Sequence, residues 1–252
     1  NYFGDPQKKN KTNTKWGGFI DDVDKFDPAF FKISPKEAML MDPQQRIFLE
    51  TVWKTIEDSG TKPSALAGTK TGIFVGVETH DYSELTDSMG NVEAYTASGW
   101  AHSIVANRIS YILDIYGPSI SIATACSSSL VAIHQAITSI RNQDCNMAIA
   151  GGVNLLLTPK LFISFGKAGM MAPDGRCKTF SKGADGYVRG EGAGAIMLKK
   201  LSLALRDNDH IYAVIKGSAV NHGGKASSLT APNPKAQSDL LVSAYQKAGI
   251  PP

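Results

Sequence analysis

Apolar runs divide the chain into short segments that predict strands. Residues 71–77, 119–125 and 146–157 each contain an apolar run, and they predict three buried strands. Two further apolar runs, at 192–201 and 211–222, lie close together in the sequence. We expect those last two strands to pair antiparallel at one side of the sheet.

Apolar residues at helical spacing separate these runs. The predicted helices cover 34–60, with Pro43 beginning the amphipathic part, then 98–114, 126–142, a short 202–208, and 234–250, which Gly249 ends. Strands that alternate with helices predict an α/β layered fold with a largely parallel sheet. Residues 159–190 lack this periodicity and are rich in Gly, Asp, Arg and Lys, which is typical of a functional loop.

Composition narrows the class of protein. The 252 residues are 42% hydrophobic and 19% charged, which suits a globular fold of one large domain or two closely packed ones. The net charge is only +3, and the one lysine-rich run, "QKKNKTNTK" at 7–15, is interpreted as a solvated loop. We therefore expect no nucleic-acid partner. No apolar run approaches the ~20 residues of a membrane span, so we expect no membrane insertion.

The cysteine count favours a reducing compartment. The chain has three cysteines, Cys126, Cys145 and Cys177, and no CxxC pair. An odd number without that spacing argues against a disulfide framework and a structural zinc site. We therefore predict a cytoplasmic protein without a bound metal.

The stretch "SISIATACSSSL" places Cys126 where a predicted strand turns into a predicted helix. Backbone N–H groups at a helix start favour a thiolate and can donate to an oxyanion. The small residues Ala123, Ala125 and Ser127 leave room for a substrate carbonyl. A free cysteine is also among the most commonly buried residues. From position alone, a nucleophile and a buried structural thiol both remain open.

The other cysteines are weaker candidates for a nucleophile. Cys145 follows a helix end, where the helix dipole disfavours a thiolate. Cys177 lies between Arg176 and Lys178, which could activate it, so it is the second candidate.

A catalytic base is harder to identify. His134 lies eight residues after Cys126 on the same predicted helix, about 12 Å along its axis, and cannot reach the thiol. The remaining histidines lie in loops or at a strand end: His80, His102, His210 and His222. A lone histidine is usually structural or on the surface, so none is assigned a catalytic role.

Several motifs together resemble one enzyme family. "TACSSS", "DGRCKTF", "ADGYVRGEGAGA" and "NHGGK" with "TAPNP" are similar to the β-ketoacyl synthase domain of modular polyketide synthases and type I fatty acid synthases. The resemblance covers nearly the whole chain and implies a thiolase-like layered fold. "NHGGK" and "TAPNP" resemble the subclass that uses a separately encoded acyltransferase.

The resemblance implies a function for Cys126. It would take an acyl chain from an acyl carrier protein, and decarboxylation of a malonyl-type extender would then lengthen that chain. Both substrates would arrive on carrier phosphopantetheine, with no cofactor bound to the domain itself. We expect Ala123, Met170 and Met171 to neighbour the substrate. By the same resemblance, the strand at 119–125 would pair across the family's two-fold dimer axis, which implies a homodimer, and neighbouring synthase domains would be further partners.

Two departures from the family pattern limit this expectation. The family's first strand and its two catalytic histidine motifs have no counterpart in these 252 residues. We therefore expect 1–232 to be the N-terminal half of a ketosynthase and 233–252 the start of its C-terminal half, inactive in condensation as it stands. A non-elongating acyl-transfer domain and a structural dimer partner remain as alternatives.

Overall fold

A computed structural model describes residues 1–87, 90 and 92–251 of the chain. Within these residues lie four strands: β1 Thr71–Gly76, β2 Ser119–Ile122, β3 Met147–Asn154 and β4 Gly192–Lys199. The helices are α1 Pro35–Leu40, α2 Pro43–Asp58, α3 Asp81–Asp87, α4 Thr96–Trp100, α5 His102–Leu113, α6 Ser128–Arg141, α7 Lys160–Lys167, α8 Leu201–Arg206 and α9 Pro234–Ala248. A short 3₁₀ helix spans Pro63–Leu66.

The strands form one mixed sheet in the order β2-β1-β3-β4. β1 lies parallel to both neighbours, with Val75 opposite Ser121 of β2 and Gly151 of β3. β4 runs antiparallel to β3, with Ile196 opposite Ala150. The predicted α/β architecture with a largely parallel sheet is confirmed.

The predicted strand at 211–222 is wrong. These residues pair with no strand in the described part of the chain, and Tyr212, Val214 and Ile215 are exposed. A strand needs a neighbour to accept its backbone hydrogen bonds, and apolar composition alone supplies none. The antiparallel partner of β4 is β3 instead.

The two faces of the sheet are covered by different helices. Ile73 and Val75 of β1 belong to a buried cluster with α2 and α5. Phe74 points to the other face, where it packs with Ala132 and Ala136 of α6. Since side chains alternate along a strand, this register places helices on both faces.

Local signals explain the helix boundaries. The predicted helix 34–60 is split before Pro43, where the Asp42 carboxylate accepts the backbone N–H of Gln44 at 2.8 Å and caps α2. The predicted helix 98–114 is likewise broken at Ala101. Gly249 ends α9 with a φ of 67°, as predicted.

One helix lies where the sequence predicts none. Helix α7 is inside 159–190, a segment that lacks the periodicity of a helix or a strand. The last residue of the predicted second unit, Pro252, lies outside the described residues. None of the described helices is long and apolar enough to cross a membrane.

Candidate active site

Helix α6 begins directly against the ends of β1 and β3. A Cβ added to Gly76 would lie 2.6 Å from the backbone nitrogen of Ser129, and one added to Gly152 would lie 2.9 Å from Ser129 Cβ. Two glycines therefore let the helix start approach the sheet more closely than any side chain would permit. This approach fixes the position of Cys126, which lies two residues before the first residue of the helix.

The corner itself has a strained backbone. Ala125 has a φ of 53°, in the left-handed region that non-glycine residues rarely adopt. Ser128 Oγ holds the turn from both sides, accepting from Thr124 N at 2.9 Å and donating to Ala125 O at 2.7 Å. Strain of this kind concentrates at functional sites, and a strand–turn–helix corner is a known way to present a nucleophile. Cys126 is exposed at the corner.

Cys126 opens into a cavity of about 1150 Å³. The cavity is bounded by residues 76–81, by β3 and β4, by α7 and by 187–191. Tyr187 also lines it, and burial, together with the neighbouring Cys126, raises the pKa of its phenol. Small residues, among them Gly151 and Gly152, line the wall of the cavity near the corner.

The other two cysteines lie elsewhere. Cys145 is buried in the cluster beneath α6, and burial raises the pKa of its thiol. Cys177 is exposed but does not line the cavity. Its neighbour Lys178 makes ion pairs with Asp174 at 3.0 Å and Asp185 at 2.5 Å, so that cation is already engaged. Geometry thus favours Cys126 over the second candidate.

The predicted substrate neighbours do not line this cavity. Ala123 is exposed just after β2. Met170 O accepts the backbone N–H of Tyr187 at 2.9 Å, and Met171 is buried beside it. The two methionines therefore support the backbone of a cavity residue. A substrate-binding role for all three stays a prediction.

Of the five histidines, all within the described residues, His80 alone lines the cavity. Its ring stacks on that of His102 with centroids 3.8 Å apart. His102 Nε2 lies 3.1 Å from Thr79 O, and burial lowers the pKa of this imidazole, with His80 adding to the effect. No sequence signal predicts this pair, because His80 lies in the loop after β1 and His102 begins α5.

The other histidines are bound outside the cavity. His134 Nδ1 lies 2.9 Å from Ser218 Oγ, and His222 Nδ1 accepts the backbone N–H of Gly224 at 2.9 Å. His210 packs edge-on against Tyr212.

Two charged residues of "VRGEG", Arg189 and Glu191, line the cavity, although the sequence motifs alone assign them no role. Glu191 accepts the backbone N–H groups of Ile20 and Leu156 at 3.0 and 2.9 Å, so it joins separate segments. Arg189 is only 7% exposed and lies over the rings of Phe162 and Phe165. Burial lowers the pKa of its guanidinium. Within the described residues no group of three or more His, Cys, Asp or Glu is placed to hold a metal.

Comparison with family models gives two matches. The model for the N-terminal domain of β-ketoacyl synthases matches residues 1–204, and the model for the C-terminal domain matches 212–252.

Known proteins agree with these matches. The chain is 56% identical over 253 aligned residues to the polyketide synthase PksN of Bacillus subtilis and 48% identical over 253 to the polyketide synthase ThaG of Burkholderia thailandensis. It covers 5% of the first and 4% of the second, with 100% of its own length aligned in both cases.

Solved structures confirm the fold. The oxazolomycin ketosynthase domain OzmH KS7 of Streptomyces albus superposes with a TM-score of 0.93 at 45% identity, over 98% of this chain and 44% of that one. A ketosynthase from module 6 of the bacillaene synthase of Bacillus subtilis gives 0.89 at 44% identity, over 98% and 41%. The predicted thiolase-like layered α/β fold is therefore confirmed.

Proposed function

Because the chain belongs to the β-ketoacyl synthase family, we propose that it is part of a polyketide synthase ketosynthase in which Cys126 accepts the acyl chain. One observation carries this proposal: the exposed thiol of Cys126 stands on a strained corner at the start of α6 and opens into a large cavity. A buried structural cysteine, such as Cys145, requires none of these features.

The first step is thioester exchange. Cys126 Sγ attacks the carbonyl carbon of an acyl group carried on phosphopantetheine, so a new C–S bond forms and the bond to the carrier sulfur breaks. The carrier thiol leaves with the proton that Cys126 loses. We propose that backbone N–H groups at the start of α6, two residues after Cys126, support the negative charge on the carbonyl oxygen.

The second step is decarboxylative condensation. The malonyl-type extender loses CO₂ as its C–C bond breaks, and the resulting carbanion attacks the acyl carbon on Cys126. The bond to Sγ breaks, and a β-ketoacyl thioester two carbons longer remains on the second carrier. The family's histidine motifs for this step do not occur in these 252 residues. We therefore propose that the 252 residues by themselves do not catalyse the condensation.

The proposed partners follow from the same assignment. Acyl carrier proteins would deliver both substrates, and no cofactor would reside in the domain. The subclass that uses a separately encoded acyltransferase is supported by "NHGGK" with "TAPNP". A homodimer is supported by β2, an edge strand of the sheet whose Ile120 is exposed. Free thiols at all three cysteines suit a cytoplasmic enzyme.

The test uses the full-length protein that contains this sequence. It is incubated with an acyl carrier thioester and a malonyl carrier thioester, and products are released and identified by mass spectrometry. We expect a β-ketoacyl thioester from the wild type and none from Cys126→Ala, while Cys177→Ala keeps the activity. Acylation of Cys126 without an elongated product would instead establish the non-elongating alternative. Product from Cys126→Ala would overturn the proposal.

A further inference from the structure

We propose that Gln44 is a positioning residue for the cavity, acting through residues 78–81. This inference rests on the proposed function, because it concerns how the cavity holds an acyl carrier substrate. These four residues, called the rim loop below, run from the loop after β1 to the first residue of α3, and all four line the cavity that contains Cys126. Gln44 is in the first turn of α2 and is not itself a lining residue.

The amide of Gln44 is bound directly to the rim loop. Its Nε2 donates to Thr79 O at 3.0 Å, and its Oε1 accepts from Thr79 Oγ1 at 2.9 Å. The same Nε2 donates to Asp42 Oδ2 at 3.1 Å. Gln44 is only 2% exposed, so water does not replace these bonds. The side chain therefore fixes both the carbonyl and the hydroxyl of one rim residue.

Further contacts connect Thr79 to its neighbours in the rim loop. His102 Nε2 lies 3.1 Å from the same Thr79 carbonyl, and the ring of His102 stacks on His80 of the rim loop. At the end of the loop, Asp81 accepts the backbone N–H groups of Leu157 and Thr158 at 3.0 and 2.9 Å.

Those two bonds link the rim loop to a second wall of the cavity. Leu157 and Thr158 come just before Pro159, the N-cap of α7, and Leu161 and Phe165 of that helix line the cavity. The contacts therefore connect Gln44, the rim loop and α7 in one continuous series. Loosening Thr79 is expected to misplace two walls at which an acyl carrier arm must settle before attack by Cys126.

The next residue provides a matched comparison. Gln45 is also 2% exposed, and its amide is also fully used. Its Nε2 donates to Ser98 O and Gly99 O at 3.0 and 2.7 Å, and its Oε1 accepts from Arg108 Nε at 3.0 Å. None of these partners lines the cavity. Truncating Gln45 removes as many buried hydrogen bonds as truncating Gln44 without freeing the rim loop.

The experiment compares Gln44→Ala with Gln45→Ala in the full-length protein. Two reactions of Cys126 are timed in the intact protein: acylation by an acyl carrier thioester, and alkylation by iodoacetamide. The extent of each reaction is read after digestion from the tryptic peptide 109–141, which contains Cys126. Iodoacetamide is small and needs no ordered cavity wall, so its rate reports the thiol and the fold. We expect Gln44→Ala to slow acylation about tenfold while alkylation stays within about twofold of wild type. Gln45→Ala is expected to leave both rates within about twofold.

A milder pair of variants tests the same contact with a smaller change to the folded protein. Thr79→Val removes only the hydroxyl bond to Gln44, and Thr79→Ser restores it. We expect acylation to slow about threefold in Thr79→Val and to recover in Thr79→Ser.

The outcomes separate the two proposals. Equal acylation in wild type, Gln44→Ala and Thr79→Val overturns the positioning role alone. An equal loss in Gln44→Ala and Gln45→Ala, or a parallel loss of alkylation, shows general destabilisation and also overturns it. Absence of acylation at Cys126 in the wild type overturns the proposed function, and this inference with it.

Discussion

The helices that cover the two faces of the central sheet contribute buried apolar side chains of very different size. On the face covered by α2 and α5, large helix residues such as Phe48, Leu49 and Ile109 are almost completely buried. On the face covered by α6, the buried apolar residues of the helix are Ala132 and Ala136.

This difference assigns different tasks to the two faces. Large buried side chains remove much apolar surface from water and therefore provide most of the stability. Small residues provide less, but they allow α6 to lie close to the sheet and bring its first turn to the strand ends beside the cavity. The molecule thus separates the face that holds the fold together from the face that presents Cys126.

Removing a large side chain tests the first half of this comparison and should have the largest effect on stability. Phe48 is 0% exposed, and Phe48→Ala should lower the free energy of unfolding by about 3–5 kcal/mol in urea denaturation. Alkylation of Cys126 in the fraction that remains folded should keep its wild-type rate. The control is Phe180→Ala, since Phe180 is fully exposed, and it should cost under about 1 kcal/mol. Equal losses for the two variants would contradict the assignment of stability to this face.

Adding one methyl group tests the second half. In Gly76→Ala the new Cβ would lie 2.6 Å from Ser129 N and 2.7 Å from the backbone carbon of Ser128, so α6 has to move. We expect a loss of about 1–3 kcal/mol in unfolding free energy and about a tenfold slower acylation of Cys126.

Gly194 offers the matched position for that change. It lies in β4, and a Cβ there would meet no atom within 4 Å. Gly194→Ala should therefore leave stability within about 0.5 kcal/mol of wild type. If Cys126 is acylated as fast in Gly76→Ala as in Gly194→Ala, the close approach of α6 to the sheet does not determine the reactivity of the thiol.

The smallest expected effect is a pH dependence at the cavity rim. Burial lowers the pKa of His102 below its ordinary 6.5, so the unfolded chain binds a proton that the folded chain does not. The contribution of His102 is thus fully present above pH 6.5 and is lost as pH falls from 6.5 through the lower folded value. The pKa of His134 is also lowered, by burial and nearby cations, and adds a dependence of the same sign.

Urea denaturation between pH 5 and 8 checks this prediction. His102→Gln should flatten the loss of stability on the acid side in part. A wild-type profile in His102→Gln would show that His102 does not contribute to the pH dependence of stability.

Sequence patterns predicted the parts of the fold that depend on local signals. The start of α2 and the end of α9 follow from Pro43 and Gly249, which act within one or two turns. The missing strand at 211–222 shows the limit, because pairing depends on a neighbour that no local pattern contains.

The site was predictable to a similar degree. Cys126 stands out because its strand and its helix adjoin in the sequence. The pair His80 and His102, the buried Arg189 and the bond from Gln44 to Thr79 are formed by residues far apart in the chain, so only the fold reveals them.

The most direct test of the central claim is the site at which an acyl group attaches. The full-length protein is exposed to an acyl carrier thioester, and the adduct is located by peptide mass spectrometry on Cys126 in peptide 109–141, with a second protease covering Cys177. The account predicts an acyl mass on Cys126 that appears in Cys177→Ala and disappears in Cys126→Ala. An adduct confined to Cys177, with Cys126 unmodified, would contradict it.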